Sequence, residues 1–354
     1  MVKKKVDGKD AYSNAGVNIS AGNLIARMIK ESIARAWPEA GEEIGGFAGG
    51  GPIPRGARLV KGSCDGAGTK PILAAIFGWL SGIGQDAAAM SGVDGYVAGI
   101  RPAYMLDTVK TGHLVPELHI HVVEGVIAAC KLIGCKLIGG ETAEMPGLYR
   151  RDYYLDVDTT TIGFDDPDLA YVPVKVGQLV YAWPSGNLAA NGLSLARKVM
   201  LLTGNPSDIR KRLERVWPEL GSKRLGEVML DPTPIWISRI EEQRKQGVKF
   251  AGHSHTTGGG LIDNPPRMLP PEFRLTLHRN RWTRPAIFPL IQRRGNVSLH
   301  DMEWTFNNGL MMLSIVDPDG ASINDPDAIC VGEIIPRKGN EHQVKFIGRY
   351  KDVI

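Results

Sequence analysis

Little in this chain of 354 residues is extreme. Cysteine is scarce: Cys64, Cys130, Cys135 and Cys330 form no C-x-x-C pair, which excludes a zinc ribbon and a disulfide framework and leaves Cys130 and Cys135 as packed, reduced thiols. No apolar run reaches the ~18 residues that a membrane span requires. The start, Met1-Val2-Lys3-Lys4-Lys5, lacks the apolar stretch of a secretion signal, so the expectation is a cytoplasmic protein with no membrane partner. A dominant charge is lacking too, because 42 basic and 38 acidic residues give a net charge of only +4. The Lys3 to Lys5 run reads as a solvated tail, so no nucleic-acid partner is expected. Short repeats and low-complexity tracts are missing. What remains is an ordinary globular composition, 43% hydrophobic and 23% charged, on a chain too long for one core. Two domains are predicted, 1–168 and 169–354, divided at the polar break Asp165-Asp166-Pro167-Asp168.

The chain is organised around Gly62-Ser63-Cys64-Asp65-Gly66-Ala67-Gly68-Thr69-Lys70, which follows the short apolar strand Arg58-Leu59-Val60. Three glycines let the backbone approach a bound group closely, as phosphate-cradling loops require. Asp65 suits a divalent cation or a ribose hydroxyl, and Lys70 suits a phosphate oxygen, although the spacing is not that of a Walker A loop.

Around it the hydrophobic periodicity alternates between helix and strand. Leu24 to Ala36 recur at helical spacing until Pro38. Gly45 to Pro52 is too glycine-rich for regular structure and reads as a mobile loop, open to a lid or a plain linker. Residues 71–92 and 117–133 read as helices, 103–106 and 135–138 as strands, and Leu155 to Phe164 as a Thr-rich strand. Gln178 to Trp183 and Leu310 to Val316 read as strands of the second half, and Ile235 to Gln246 as a helix. The fold class is therefore α+β with α/β alternation, two domains each a mixed sheet covered by helices.

Four loops could carry chemistry. Asp65, Asp94, and Glu141 with Glu144 each set an acid beside glycine, the pairing that a metal and a polyphosphate need, although each acid alone also fits an ordinary surface loop. The fourth is His253-Ser254-His255-Thr256-Thr257-Gly258-Gly259-Gly260. Its alternating histidines have no clear third ligand for catalytic zinc, and His255 fits a phosphate donor or a proton carrier. His119 and His121 alternate in the same way and read as surface or capping residues.

Together, Ser63 to Lys70, Gly139-Gly140-Glu141-Thr142-Ala143-Glu144-Met145-Pro146-Gly147 and His255 to Leu261 resemble the phosphoribosylformylglycinamidine cyclo-ligase family, also called aminoimidazole ribonucleotide synthetase. Ala15-Gly16-Val17, Gly45-Gly46-Phe47, Asp263-Asn264-Pro265-Pro266-Arg267 and Thr305-Phe306-Asn307 agree in order, so the resemblance runs from about residue 12 to about residue 335. It implies a homodimer with paired N-terminal sheets and an ATP-dependent ring closure in purine biosynthesis. ATP phosphorylates the formyl amide oxygen of a small ribonucleotide, and an amidine nitrogen then attacks and expels phosphate.

Carried over by position, the resemblance implies a nucleotide site of Asp65, Gly66, Gly68, Thr69, Lys70, Gly139, Gly140, Glu141, Thr257 and Gly258. It implies Asp94, Glu141 and Asp65 as Mg²⁺ ligands, and Lys70, His255 and Asp94 as catalytic groups. Ser185, Asn191 and Gly192 would face the substrate. The chain departs from the family at Asn18, where Asp is usual, at Cys64 for Thr, at Val93 for Asn and at Pro234 for a basic residue. Its turn Ser185-Gly186-Asn187-Leu188-Ala189-Ala190-Asn191-Gly192 is one residue longer and lacks the family's His and Ser. A related enzyme acting on another acceptor, as selenophosphate synthetase and thiamine-phosphate kinase do in the wider superfamily, and a nucleotide-binding paralogue without turnover are the alternatives.

Overall fold

Asn18 caps the first helix, α1 (Ile19–Ala36), accepting a hydrogen bond from the Ala21 amide at 3.1 Å, and the helix stops at Trp37 before Pro38. The computed structural model describes residues 16–38, 46, 48–151 and 153–352. The polar tail, Ala15, Gly45 and Phe47 lie outside the described residues.

The N-terminal half is built from β1 (Val60–Gly66), α2 (Lys70–Phe77), α3 (Ser81–Val97), β2 (Ile100–Thr111), α4 (Pro116–Ile133), β3 (Lys136–Glu144) and β4 (Leu155–Asp165). Its four-stranded sheet runs β1-β4-β2-β3, with β2 and β3 parallel and the other pairs antiparallel. Residues 71–92, expected as one helix, are two: Gly78 takes the left-handed conformation, φ 84°, and closes α2 by donating to Ala74. Three segments expected as loops are regular structure. Asp65 lies in edge strand β1, Asp94 in the last turn of α3, and Gly139 to Glu144 continue β3 in parallel register with β2 as far as Thr111.

The C-terminal half holds β5 (Leu179–Pro184), α5 (Leu193–Val199), α6 (Pro206–Glu214), α7 (Leu225–Leu230), α8 (Ile237–Lys245) and β6 (Phe250–His255). After them come α9 (Gly260–Asp263), β7 (Phe273–His278), α10 (Ile287–Gly295), α11 (Leu299–Thr305), β8 (Leu310–Val316), β9 (Ile329–Pro336) and β10 (Val344–Ile347). The six-stranded sheet runs β10-β7-β9-β5-β8-β6 and is antiparallel except for β10 against β7. Both sheets are thus mixed and helix-covered. The loop expected over 252–260 begins only after His255, because β6 pairs with β8 through that residue.

Helix α3 joins the halves. It is rich in Ala and Gly, nearly every residue from Ile83 to Tyr96 is buried, and it packs on β1, β2, β4 and β6. One apolar core consequently runs from Leu73, Val93 and Val126 into Trp183, Leu230 and Phe306, while a second one, with Val180, Leu275 and Leu313, underlies the C-terminal sheet. No described helix is long and apolar enough to cross a membrane.

Candidate active site

The candidate site lies where α3 packs on β6. His255 ends β6 with its side chain only 1% exposed, and its Nδ1 lies 2.8 Å from Oδ1 of Asp94 on α3. The carboxylate takes up Nδ1 of the imidazole, which leaves Nε2 as the ring's second polar atom. That Nε2 is buried and has no hydrogen-bond partner. Such an atom costs free energy until something meets it.

Asp65 stands beside this pair. Partial burial pushes its carboxyl up, the Gly66 amide and His255 oppose the rise, and the charges of Asp94 and Asp158 reinforce it. Clustered carboxylates of this kind are what a hard cation relieves, and Mg²⁺ commonly takes one or two protein carboxylates with phosphates and water. After β1 the chain turns through Ala67-Gly68-Thr69 into α2. Gly68 adopts φ 59°, a left-handed value that favours glycine, and faces the carbonyl of Ala190. Thr69 Oγ1 lies 3.3 Å from Ser194 Oγ, which sets the 185–194 segment across from this turn.

These contacts bring Asp65, Gly66, Gly68, Thr69, Asp94 and His255 to one region. Asn191 also reaches α3, its Nδ2 lying 3.8 Å from Sδ of Met90, one helical turn before Asp94. Thr257 follows His255 and is pinned by Asn264, which accepts from its amide at 2.9 Å and donates to its hydroxyl at 3.1 Å. Gly258 is exposed, with open space where a side chain would stand.

Other expected residues stand elsewhere. Lys70, expected at a phosphate, is fully buried: its ammonium contacts Asp86 at 2.8 Å and the carbonyl of Asp231 at 2.6 Å. Glu141 lies on β3, at the opposite edge of the sheet from Asp65. Three interstrand spacings separate those edges, about 14 Å. The register also places the two acids on opposite faces, Asp65 level with Thr159 and Asp107, Glu141 level with Thr108 and Asp158. Within one chain Asp65 and Glu141 do not meet around a single Mg²⁺, and among the described residues no cluster of three or more His, Cys, Asp or Glu side chains forms a metal cage.

Gly139 and Gly140 belong to the same distant edge. Gly140 is required there because a Cβ would collide with Oδ1 of Asp107, a buried carboxyl that burial pushes up to about 7. Glu144 is also absent from the cleft, accepting from the amides of Asn18 at 2.6 Å and Leu114 at 2.9 Å and pairing with His113.

Ser185 is buried, and its hydroxyl donates to the carbonyl of Asn187 at 2.7 Å, so it does not present that group to a substrate. Gly192 rests on the ring of Phe306. The organiser of this turn is Asn307, whose Nδ2 meets Ser185 Oγ and the carbonyls of Asn187 and Leu188. Asn307 and Asn264 both fall in the matching sequence strings, but roles as braces were not legible there. His253 is no metal ligand: buried between Tyr96, Tyr171 and Phe250 and bonded to Ser314, it is held neutral by burial and by Arg244. His119 is a buried capping residue, its Nδ1 2.8 Å from the carbonyl of Val115, and exposed His121 pairs with Glu124.

Comparison with known proteins covers both halves. A family described as AIR synthase related protein, N-terminal domain, matches residues 55–164, and its C-terminal counterpart matches residues 175–345. A phosphoribosylformylglycinamidine cyclo-ligase from Thermoanaerobacter sp. (strain X514) is 37% identical over 340 residues, covering 93% of this chain and 98% of that protein. One from Shouchella clausii (strain KSM-K16) is 37% identical over 93% of this chain and 97% of its own length. Among solved structures, E. coli HypE, a hydrogenase maturation protein, superimposes with a TM-score of 0.60 at 16% identity, covering 92% of this chain and 93% of that one. Thiamine monophosphate kinase from Aquifex aeolicus gives 0.52 at 14% identity, covering 86% and 91%. At these identities the structural likeness is one of fold.

Proposed function

The chain belongs to the phosphoribosylformylglycinamidine cyclo-ligase family, and from that premise we propose that it converts formylglycinamidine ribonucleotide to aminoimidazole ribonucleotide with ATP, in de novo purine biosynthesis in the cytoplasm. The observation that carries the site is the contact between Asp94 and His255, which two distant motifs bring together across the two halves. Asp65 and Asp94 would hold Mg²⁺, which when bound neutralises the polyphosphate. Gly258, where a side chain would meet open space, would leave room for the nucleotide.

Asp94 orients the imidazole, and Nε2 of His255 is the atom that takes or returns a proton as the amide oxygen is phosphorylated and the amidine nitrogen closes the ring. Lys70 contributes by fixing α2 and not by touching phosphate. The domain division at 168 and 169 and a homodimer formed through the N-terminal sheets belong to the same proposal. In such a dimer the half-buried outer face, with Thr108, Asp158 and Glu141, would meet its copy.

The inward-facing polar groups of the 185–192 turn favour one second reading, the same ATP chemistry on another small acceptor. Purified protein supplied with formylglycinamidine ribonucleotide, ATP and Mg²⁺ is expected to form aminoimidazole ribonucleotide and ADP in equal amounts. Protein that binds MgATP and forms no such product would overturn this reading in favour of another acceptor or of a nucleotide-binding paralogue without turnover.

A further inference from the structure

A cavity of about 640 Å³ lies apart from the cleft, between the end of α4, the start of β2 and helix α8, and none of Asp65, Asp94 and His255 lines it. Its walls are apolar at Leu132, Ile133 and Ile237 and charged at Arg101, Lys131, Arg244 and Lys245, with Asp166, Asp168 and Glu241 among them. The acids are largely committed. Asp166 pairs with Arg101, Glu241 accepts from Arg101 at 3.1 Å and from the Tyr96 hydroxyl at 2.5 Å, and Asp168 is exposed. Of the cations, Arg101 is committed to those acids, and Arg244 only in part, to Glu241. Lys131 and Lys245 form no ion pair among the described residues, and Nε of Arg244 is buried without a hydrogen-bond acceptor, Glu241 lying 3.4 Å away in poor geometry.

Apart from the exposed Asp168 carboxylate, the unmet capacity of this cavity lies in donors, at Lys131, Lys245 and Nε of Arg244, so a ligand that completes it must bring acceptors. We infer that it binds a small organic anion, phosphate- or carboxylate-bearing and up to mononucleotide size, and that this site regulates the cleft. The volume suits such a ligand, and the apolar wall suits its body. The link to the cleft is short. Glu241 holds Tyr96, whose ring stacks on His253 with centroids 5.6 Å apart, and two residues along the same helix and strand stand Asp94 and His255. A ligand drawing Arg244 and Glu241 into new bonds repositions Tyr96 and His253, and with them the Asp94–His255 contact.

Binding follows from the cavity alone; regulation rests also on the proposed nucleotide site. Equilibrium dialysis of the full chain with radiolabelled adenosine monophosphate or citrate, with Mg²⁺ and saturating methylene-bridged ATP analogue filling the cleft, is expected to find one further site. Retention of the nucleotide alone identifies phosphate as the recognised group, and of citrate alone, carboxylate. Lys131→Glu with Lys245→Glu, two exposed positions, is expected to weaken binding at least about tenfold, the loss of a charge-assisted hydrogen bond, at an unchanged melting temperature. No retention of either probe at millimolar concentration, or equal retention by the double variant, would overturn the site. Regulation predicts that the retained probe changes ATP-analogue affinity in the wild type and not in the double variant; an unchanged affinity overturns it. Failure of the analogue to bind at all would count against the nucleotide site, and dialysis without analogue would still test the cavity.

Discussion

Two of the charged contacts that tie the halves of this protein together are opposites. In one, Lys70 of α2 reaches Asp86 and the carbonyl of Asp231, while the amide and hydroxyl of Thr233 both donate to the same carboxylate, at 2.8 and 2.7 Å. Both charged side chains are wholly shielded from solvent. In the other, Asp94 is 33% exposed and holds a buried imidazole whose second nitrogen meets nothing. The first contact is closed, and the second leaves one position open. Charge in a glycine-rich motif thus serves two ends, and the open hydrogen-bonding position, not the motif, separates chemistry from architecture.

The largest expected effects fall on the open contact. His255→Asn and Asp94→Asn should each lower the rate of ring closure by ~10²–10⁴-fold, the usual range for losing a positioned acid or base. Unfolding midpoints should stay close to wild type, because neither change leaves a buried unpaired charge. Asp94→Asn should also weaken Mg²⁺-dependent ATP binding, measured by titration with and without the cation. Full activity in both variants would reduce this contact to architecture and erase the contrast.

The closed contact should respond in the opposite way. Lys70→Met removes one partner of a fully buried pair and leaves Asp86 buried with Thr233 but without a cation, which costs about 3–5 kcal/mol in unfolding experiments. Adding Asp86→Leu should recover much of that loss, and the doubly substituted protein should keep its ATP affinity. An ATP affinity that collapses in the double variant while stability returns would place Lys70 at the phosphates after all.

Much of this was legible from residue order. The amphipathic helix ending at Pro38 and the strands around 155–164 and 310–316 came from periodicity, and the family came from the motifs. Burial was not legible. A Gly-Thr-Lys string looks the same whether its lysine faces a phosphate or Asp86, since the partner lies sixteen positions away on another helix. Glu141 sits beside glycines as a loop ligand would, but strand pairing carries it to the far edge of the sheet. The braces Asn264 and Asn307 act through carbonyls and amides, which leave no mark on side-chain pattern.

Another buried acid sharpens the contrast most finely. Asp86 has a lysine, whereas Asp107 has only its own backbone amide, and burial raises its carboxyl from 3.8 to about 7. A pKa raised on folding means that the folded state binds the proton more tightly. The stability this contributes is whole below about pH 4 and is lost as pH rises through 7. Asp107→Asn keeps the shape and removes the ionisation, so it should flatten that loss. The variant should match wild type near pH 4 and exceed it at pH 8 by at most about 4 kcal/mol, read from urea unfolding at each pH. Parallel pH profiles would mean that Asp107 stays protonated or finds a cation across the whole range, and the cost of burying an acid would then lie entirely at Lys70 and Asp86.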